Sequence, residues 1–315
     1  MARMIGISLC REILLNKDRF LLYSHKNPDG DTVCSCAALC SALRRVGKTA
    51  YLAPNDQVID RYRNYFDSFV MPESYAADYF ISVDVASLNQ MPESYGGHTD
   101  MIIDHHPSNS LFADLALVNG SKAACGEIVM ELIKELCGEI TPFEAEMLYV
   151  AVSTDTGCFR YANTNADCLR SAAELLDLGV NNGRINVGIF MKMTKAKMKL
   201  VGRIYSTLET RKDGLISVVK ITDKMIKETG VTENDLEDLA SYAGQCETSR
   251  VSVTLREKED GTVKISLRSS PPFNCSDACA IYGGGGHALA AGVTLKAGID
   301  EAEEMILKAI EEVWQ

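Results

Sequence analysis

The sequence contains no apolar run long enough to cross a membrane, and acidic residues outnumber basic ones. A membrane-spanning helix needs about 18 consecutive apolar residues. The 43 aspartate and glutamate residues, against 32 lysine and arginine residues, give a formal net charge of −11. Proteins that follow long nucleic acid usually present a basic face, so this acidity favours a short or small anionic substrate. We expect neither a membrane partner nor long duplex nucleic acid as a partner.

The first residues do not have the layout of a secretion signal. Arg11, Glu12, Lys17 and Asp18 interrupt the segment in which a signal peptide would carry its apolar region. The sequence therefore predicts a cytoplasmic protein.

Paired cysteines are absent, although the chain contains 11 cysteines. No CxxC spacing occurs, and Cys34, Cys36 and Cys40 fall inside a predicted helix. Thiolate zinc sites usually show such pairs, and disulfides are rare in the cytosol. We therefore predict reduced cysteines that pack as small apolar side chains.

The first half of the sequence alternates short apolar runs with segments of helical spacing. This βαβα rhythm predicts an α/β fold whose N-terminal domain is a doubly wound, mainly parallel sheet covered by helices. Thr141 and Pro142 provide an N-cap and a first-turn proline for one helix. The predicted strands are 20–25, 49–53, 79–85 and 100–104, and the predicted helices are 32–47, 126–138, 141–155 and 165–180.

The second half changes character after a basic stretch of helical spacing at 189–209. Alternating polar and apolar residues there predict a smaller α+β domain, with a hairpin turn at 259–261. The predicted strands are 215–221, 249–257 and 261–269, followed by a helix at 300–314. The predicted division of the chain is a first domain at 1–188, a helical linker at 189–211 and a second domain at 212–315.

Aspartate and histidine side chains concentrate at the carboxyl ends of elements in the first half. The four clusters read SHKNPDGD (24–31), SVDVAS (82–87), IIDHHPSN (102–109) and AVSTDTGCFRY (151–161). Taken singly, Asp29 and Asp31 could be turn residues and Asp84 a helix cap. Sites of open α/β sheets form beyond the carboxyl ends of the strands, so we expect all four clusters to converge.

Such a convergence would place five aspartates and three histidines together. That many carboxylates do not stay ionised side by side without cations. Oxygen and imidazole ligands without thiolates favour Mn²⁺, with Mg²⁺ or Co²⁺ as alternatives. Because the ligands exceed the need of one ion, we predict two ions roughly 3.5–4 Å apart, an arrangement that typically hydrolyses phosphoesters.

The four clusters resemble, in order and spacing, the motifs of the DHH phosphoesterase family. The segment GGGGHALAAG (283–292), preceded by SLRSS (266–270), resembles the signature of the DHH-associated second domain. The resemblance covers nearly the whole chain and is strongest to the oligoribonuclease/phosphoadenosine phosphatase (NrnA-like) subgroup. One departure is Cys34, which stands where that pattern commonly has glycine.

The resemblance implies specific roles for individual residues. One metal ion would be bound by His25, Asp29 and Asp84, and the other by Asp31, Asp84, His105 and Asp155, with Asp84 as the bridge. Asp84 and His106 would be the catalytic residues, and Asp104 would orient a neighbouring histidine. The implied substrate-binding residues are His106, Arg268, Ser269, Gly284, Gly285, Gly286 and His287.

The resemblance also implies a reaction. The expected enzyme hydrolyses short oligoribonucleotides (nanoRNA and linear dinucleotides), and the 3′-phosphate of phosphoadenosine phosphate, with water activated by two metal ions. A pyrophosphatase or exopolyphosphatase with the same metal site is the alternative, although the glycine-rich segment argues against a pyrophosphatase. A binding module without catalysis would require a lost ligand. Substrate preference, polarity of attack, the native metal and a homodimeric state stay open.

Overall fold

The structure is a computed structural model and describes residues 2–236 and 239–314 of the chain. It divides into two units, Met1–Lys192 and Met193–Gln315. Within the described ranges, no helix combines the length and the apolar character needed to cross a membrane.

The first unit is built on a six-stranded sheet in which every paired neighbour is parallel. Its strands are β1 (Arg3–Met4), β2 (Phe20–Tyr23), β3 (Ala50–Leu52), β4 (Tyr79–Val83), β5 (Met101–Asp104) and β6 (Leu115–Val118). Their order in the sheet is β1-β6-β5-β4-β2-β3. The predicted α/β class with a mainly parallel sheet is confirmed. The edge strand β1 and its neighbour β6 were not predicted.

The helices of the first unit are α1 (Ile7–Asn16), α2 (Gly30–Arg45), α3 (Asp60–Phe66), α4 (Cys125–Cys137), α5 (Pro142–Asp155), α6 (Ala166–Asp177) and α7 (Asn182–Asn186), with a π-helical turn at Val187–Met191. The capping residues predicted for α5 are confirmed. The Thr141 side chain accepts a hydrogen bond from the backbone N–H of Glu144, whose side chain bonds back to Thr141. This capping box fixes where α5 begins, and Asp155 is the last residue of the helix.

Helix α2 lies in the core of the first unit. Cys34, Cys36 and Cys40 are fully buried along it, beside apolar residues of the sheet and of α5. Their thiols are free, and burial raises the pKa of Cys40 to about 12. The three cysteines therefore serve as apolar packing residues, as the sequence predicted.

The second unit contains a six-stranded mixed sheet in the order β11-β12-β10-β9-β8-β7. Only the β8–β9 pair is parallel. The strands are β7 (Glu209–Arg211), β8 (Ile216–Ile221), β9 (Val251–Glu257), β10 (Val263–Ser269), β11 (Gly285–His287) and β12 (Ala290–Leu295), and the helices are α8 (Lys195–Ser206), α9 (Asp223–Thr229), α10 (Cys275–Ala280) and α11 (Ile299–Val313). The predicted hairpin between β9 and β10 is present.

The basic stretch at 189–209 is not one continuous helix. The π-helical turn ends at Met191, and α8 begins after Thr194, whose hydroxyl accepts a hydrogen bond from the backbone N–H of Lys197 at 2.9 Å. Thr194 is therefore the N-cap of α8. The helical spacing continues through this residue, so the start of a new helix there was not predicted. Leu200 and Ile204 of α8 pack in a core cluster with strand β8, so this helix belongs to the second unit.

Candidate metal centre

The carboxyl ends of β2, β4 and β5 lie side by side, because these strands are neighbours in the parallel sheet. The chain continues in opposite directions across the sheet from β2 and from β4. Ligand sites of open α/β sheets form at such a point. The acid- and histidine-rich clusters follow these strands, and Asp155 ends α5 nearby.

Asp29 stands at the start of α2 and has three neighbours: two backbone N–H groups of the helix and the ring of His25. Its Oδ1 accepts hydrogen bonds from the backbone N–H groups of Asp31 at 3.0 Å and Thr32 at 3.2 Å, which makes it the N-cap. The same oxygen lies 3.7 Å from Nε2 of His25. The turn interpretation of Asp29 is therefore correct, and it is compatible with a place in the cluster.

Asp31 is held by the beginning of α4. Its Oδ2 accepts a hydrogen bond from the backbone N–H of Cys125 at 2.7 Å, and its Oδ1 accepts from the N–H of Gly126 at 2.9 Å and from the Ser35 hydroxyl at 2.9 Å. A Cβ at Gly126 would lie 2.6 Å from Cβ of Ala151, so only glycine permits this approach. The first N–H groups of a helix have no acceptor within the helix. Asp31 accepts two such N–H groups at the start of α4.

The role of Gly126 was not predicted, although the sequence around it carries a signal. The helix α4 begins after Ala124, and no side chain of its own caps it. A predicted helix that lacks a serine, threonine, aspartate or asparagine at its start needs an acceptor from elsewhere in the fold. A buried carboxylate such as Asp31 is the natural candidate.

Asp84 occupies the centre of the cluster. It follows β4 in a left-handed backbone conformation, with φ of 62°, which aspartate tolerates better than most residues. Its Oδ1 lies 3.5 Å from Nε2 of His105 and 3.5 Å from Nδ1 of His106, and its Oδ2 lies 3.8 Å from Nε2 of His25. Asp84 is 3% exposed, and Oδ1 has no hydrogen-bond partner among the described residues. A buried carboxylate oxygen in this state fits a cation ligand.

The backbone orients two of the three histidines in the same way. Nδ1 of His25 lies 2.7 Å from the carbonyl oxygen of Lys26, and Nδ1 of His105 lies 3.2 Å from that of Lys122. A carbonyl accepts only from a protonated nitrogen, so Nε2 of each ring keeps its lone pair. Metal-binding histidines are typically held in this manner.

His106 differs from the other two histidines. Its Nδ1 donates to Oδ1 of Asp104 at 2.8 Å, and Asp104 is fully buried. Burial alone would lower the pKa of His106, but the hydrogen bond and charge of Asp104 raise it above the usual range. The prediction that Asp104 orients a neighbouring histidine agrees with this geometry.

The structure brings the predicted ligands together in two groups that share no residue, and a third group, Asp84, Asp104, His105 and His106, connects them. In each group every residue offers one ligand atom within 4.8 Å of the others. One group is His25, Asp29 and Asp84, and the other is Asp31, His105 and Asp155. Asp84 reaches the second group through His105, whose Nε2 also lies 3.6 Å from Oδ2 of Asp155. Their role as metal ligands stays a prediction.

The carboxylates of the cluster repel one another, and burial together with this repulsion raises the pKa values of three of them. Burial, reinforced by the charges of Asp31 and Asp29, raises the pKa of Asp84 and that of Asp155 well above the usual range. Burial and the charge of Asp29 raise the pKa of Asp31 to about 7. Cations remove this conflict, because they favour the ionised form of every carboxylate they contact.

The predicted substrate-binding residues lie in the second unit, apart from His106. Arg268 and His287 both pair with Ala290, one from β10 and one from β11. Directly paired residues share a face of a sheet, so their side chains lie on one face, two strands or roughly 10 Å apart. The segment Gly285–His287 is a short strand rather than a loop.

Close backbone packing explains two of the glycines in this segment. A Cβ at Gly284 would lie 2.5 Å from the carbonyl oxygen of Gly292, and Gly286 has a φ of 149°. The hydroxyl of Ser269 donates to the carbonyl oxygen of Phe273 at 3.0 Å. Its proton is therefore already used in a hydrogen bond within the turn that follows β10. The binding roles of these residues stay predictions.

A cluster of carboxylates and imidazoles lies at the carboxyl ends of a parallel sheet and is suited to bind metal ions. This geometry indicates a class of protein with a metal site at that edge of the sheet. Residues 19–152 match the model of the DHH family, N-terminal domain, and residues 212–315 match that of the DHHA1 domain. The chain is 33% identical to the bifunctional oligoribonuclease and PAP phosphatase NrnA of Thermus thermophilus, over 92% of this chain and 88% of the relative. The chain therefore belongs to the DHH family of metal-dependent phosphoesterases.

Two further relatives extend the similarity. The protein of the same name from Bacillus subtilis is 27% identical over 92% of this chain and 93% of its own length. A crystal structure of an exopolyphosphatase-related protein from Bacteroides fragilis has a TM-score of 0.83 and 25% identity, and the match covers 97% of this chain and 95% of that one. Sequence and fold agree over both units.

Proposed function

We propose that this protein hydrolyses short oligoribonucleotides, including linear dinucleotides, and removes the 3′-phosphate of phosphoadenosine phosphate. The observation that carries the reaction type is the pair of ligand groups linked by Asp84, whose buried Oδ1 has no hydrogen-bond partner among the described residues. The substrates are supported by the two relatives named as oligoribonuclease and PAP phosphatase, which match both units.

The proposed cofactors are two Mn²⁺ ions per chain, with Mg²⁺ or Co²⁺ as substitutes. His25, Asp29 and Asp84 would hold one ion, and Asp31, Asp84, His105 and Asp155 the other. The oxygen and imidazole donors suit these metals. When bound, such ions supply the positive charge that acidifies a water nucleophile and neutralises phosphate oxygens.

The residues of the chain have separate tasks in the proposed mechanism. Asp84 links the two ligand groups and fixes their separation. His106, held through Nδ1 by Asp104, uses its other ring nitrogen to contact the scissile phosphate or to give it a proton. Both side chains are positioned before substrate arrives, because Asp84 is buried and the ring of His106 is hydrogen-bonded to Asp104.

Substrate binding is assigned to the second domain, at 212–315. Arg268 and His287 would bind a terminal phosphate, assisted by Ser269 and by the backbone of Gly284, Gly285 and Gly286. A charged side chain is suited to phosphate oxygens, as is a backbone N–H group that has no other acceptor. The N–H of Gly284 already donates to the carbonyl oxygen of Cys279 at 2.9 Å, so Gly284 would assist through close backbone packing rather than as a donor. A cytoplasmic location and a homodimer belong to the same hypothesis, and no membrane or long duplex partner is proposed. The helical linker expected at 189–211 is not proposed again, because α8 belongs to the second unit and Glu209–Arg211 is a strand.

A substrate panel tests the function. Purified protein with Mn²⁺ is incubated with short RNAs, short DNAs, phosphoadenosine phosphate, pyrophosphate and polyphosphate, and the products are separated by chromatography. We expect mononucleotides from short RNA and adenosine monophosphate from phosphoadenosine phosphate. Turnover of pyrophosphate or polyphosphate alone would instead support the alternative, a pyrophosphatase or exopolyphosphatase with the same metal site.

The raised carboxylate pKa values predict how the metal-free protein responds to pH. Between about pH 4, the ordinary value for aspartate, and about pH 7, the folded-state pKa of Asp31, the folded protein binds more protons than the unfolded chain. Its stability therefore falls as pH rises. His25 and His106, whose pKa values are also raised, act in the same sense. His105, whose pKa is lowered by burial and by the charge of His106, acts in the opposite sense below its ordinary value of 6.5. The pKa values of Asp29 and Asp104 are lowered. Their contribution to the stability of the folded protein is therefore lost only at lower pH, where these carboxylates take up protons.

The measurement is a melting temperature after chelation, at about pH 5.5 and about pH 8. We expect the metal-free protein to melt lower at the higher pH. Added Mn²⁺ should raise the melting temperature more at about pH 8, because its ligands must be deprotonated. A metal-free protein that is more stable at the higher pH would contradict the electrostatic description of the cluster.

A further inference from the structure

Asn109 closes the turn after β5 and bonds to two parts of the metal centre. Its Nδ2 donates to Oδ2 of Asp104 at 2.5 Å and to the carbonyl oxygen of Val85 at 2.9 Å. Its Oδ1 accepts a hydrogen bond from the backbone N–H of Leu111 at 2.7 Å. Both amide hydrogens and the amide oxygen are therefore engaged.

The two acceptors of the Asn109 amide hydrogens each contact or adjoin a residue of the proposed mechanism. The two oxygens of Asp104 are divided: Oδ1 accepts from Nδ1 of His106 at 2.8 Å, and Oδ2 accepts from Asn109. Val85 directly follows Asp84, whose φ of 62° depends on the chain on both sides being held. Asn109 thus ties the end of the strand that carries Asp84 to the end of the strand that carries His106.

We propose that Asn109 is a positioning residue that holds the ring of His106 through Asp104. This inference rests on the proposed function, in which His106 contacts the scissile phosphate. With Oδ2 anchored, the carboxylate plane of Asp104 is fixed, and Oδ1 keeps the Nδ1 proton of His106 in one direction. The other ring nitrogen then has a defined orientation without any contact between Asn109 and substrate.

The chemistry of the site favours asparagine over its nearest substitutes. Aspartate has the same shape but would place a carboxylate against that of Asp104. Alanine would leave Oδ2 of Asp104 and the carbonyl oxygen of Val85 without this donor inside a buried environment. Only an amide of this length supplies two donors and one acceptor at the observed positions.

The test compares Asn109→Asp and Asn109→Ala with Asn119→Ala as a matched control. Asn119 also caps a turn at the end of a strand, accepting from the backbone N–H and the hydroxyl of Ser121, and it is exposed. On a dinucleotide with Mn²⁺ we expect kcat of Asn109→Asp to fall about 10- to 100-fold, as for other residues that orient a site's side chains by hydrogen bonds without contacting the substrate. KM and bound metal should change little, the variant should stay folded at the assay temperature, and the control should match the wild type.

Two further readouts separate positioning from a merely structural role. In the metal-free protein, the Nδ1 proton of His106 should give a downfield resonance that Asn109→Asp weakens or removes. The exchanged double variant Asp104→Asn with Asn109→Asp restores an amide–carboxylate pair, so it should recover at least about 10-fold in kcat over Asn109→Asp alone.

Three outcomes would overturn the inference. They are wild-type kcat in Asn109→Asp, a loss of kcat that comes with loss of bound metal or of folding, and no recovery in the exchanged pair. A wild-type protein that binds metal but does not cleave the dinucleotide would contradict the proposed function itself. An active wild type with an equally active Asn109→Asp would contradict only the positioning role.

Discussion

Replacing Asp84 with asparagine should abolish phosphoesterase activity while leaving the fold intact. Asparagine has the shape of aspartate and tolerates the left-handed backbone that this position requires. The substitution therefore removes the charge that would link both metal ions and little else. Since a single electrostatic contact to a transition state is worth about 10²- to 10³-fold, we expect kcat/KM on a dinucleotide to fall by at least about 10³-fold.

The same substitution should stabilise the metal-free protein. Burial and the neighbouring aspartates disfavour the charge of Asp84, so a neutral amide relieves the conflict. We expect a higher melting temperature than that of the metal-free wild type and a smaller rise on addition of Mn²⁺. Bound metal, counted by inductively coupled plasma mass spectrometry, should fall below the wild-type value.

Asp213 offers a matched control for Asp84. It is an exposed aspartate of the second unit with φ of 55°, so Asp213→Asn makes the same chemical change in the same backbone conformation. Its activity and metal content should equal those of the wild type. Near-normal turnover of Asp84→Asn with Mn²⁺ would show that the bridging assignment is wrong.

The convergence of the site was predictable because it depends on the sheet alone. Parallel neighbours end at one edge, so Asp84 and the Asp104–His106 segment had to meet once β4 and β5 were recognised. His25 and Asp29 followed in the same way from β2. Thr141 and Pro142 marked the beginning of α5, and the helical spacing of 141–155 led to Asp155 at its end.

The hydrogen bonds that hold the site could not be predicted from the sequence. Their partners are far apart in the chain, or they are backbone groups that every residue type provides. The backbone N–H groups of Cys125 and Gly126 reach Asp31 across 94 and 95 residues, and no residue type encodes a backbone donor. The fold elements that were missed have a similar cause. Strand β1 has two residues and exposed side chains, too short for a period-2 pattern to register.

Truncating Arg268 or His287 should damage nucleotide hydrolysis far more than the chemistry of the metal centre. If these residues bind the terminal phosphate, their contact energy helps to position the scissile phosphate. Arg268→Ala and His287→Ala should each lose about 10²-fold in kcat/KM on dinucleotides, or about 3 kcal/mol, as for a charge-assisted hydrogen bond. Both kcat and KM should be affected, and bound metal should be unchanged.

The decisive comparison is between two substrates. Bis-p-nitrophenyl phosphate has an activated leaving group and no terminal phosphate to bind, so both variants should hydrolyse it nearly as fast as the wild type. Arg203→Ala is the control, because it removes an exposed arginine of the same unit whose ion pair with Glu228 should contribute little to stability. Equal losses on both substrates would mean that Arg268 and His287 support the fold or the metal centre. A loss confined to the dinucleotide would instead assign substrate recognition to the second unit, because the metal centre would then act normally on any phosphodiester that reaches it.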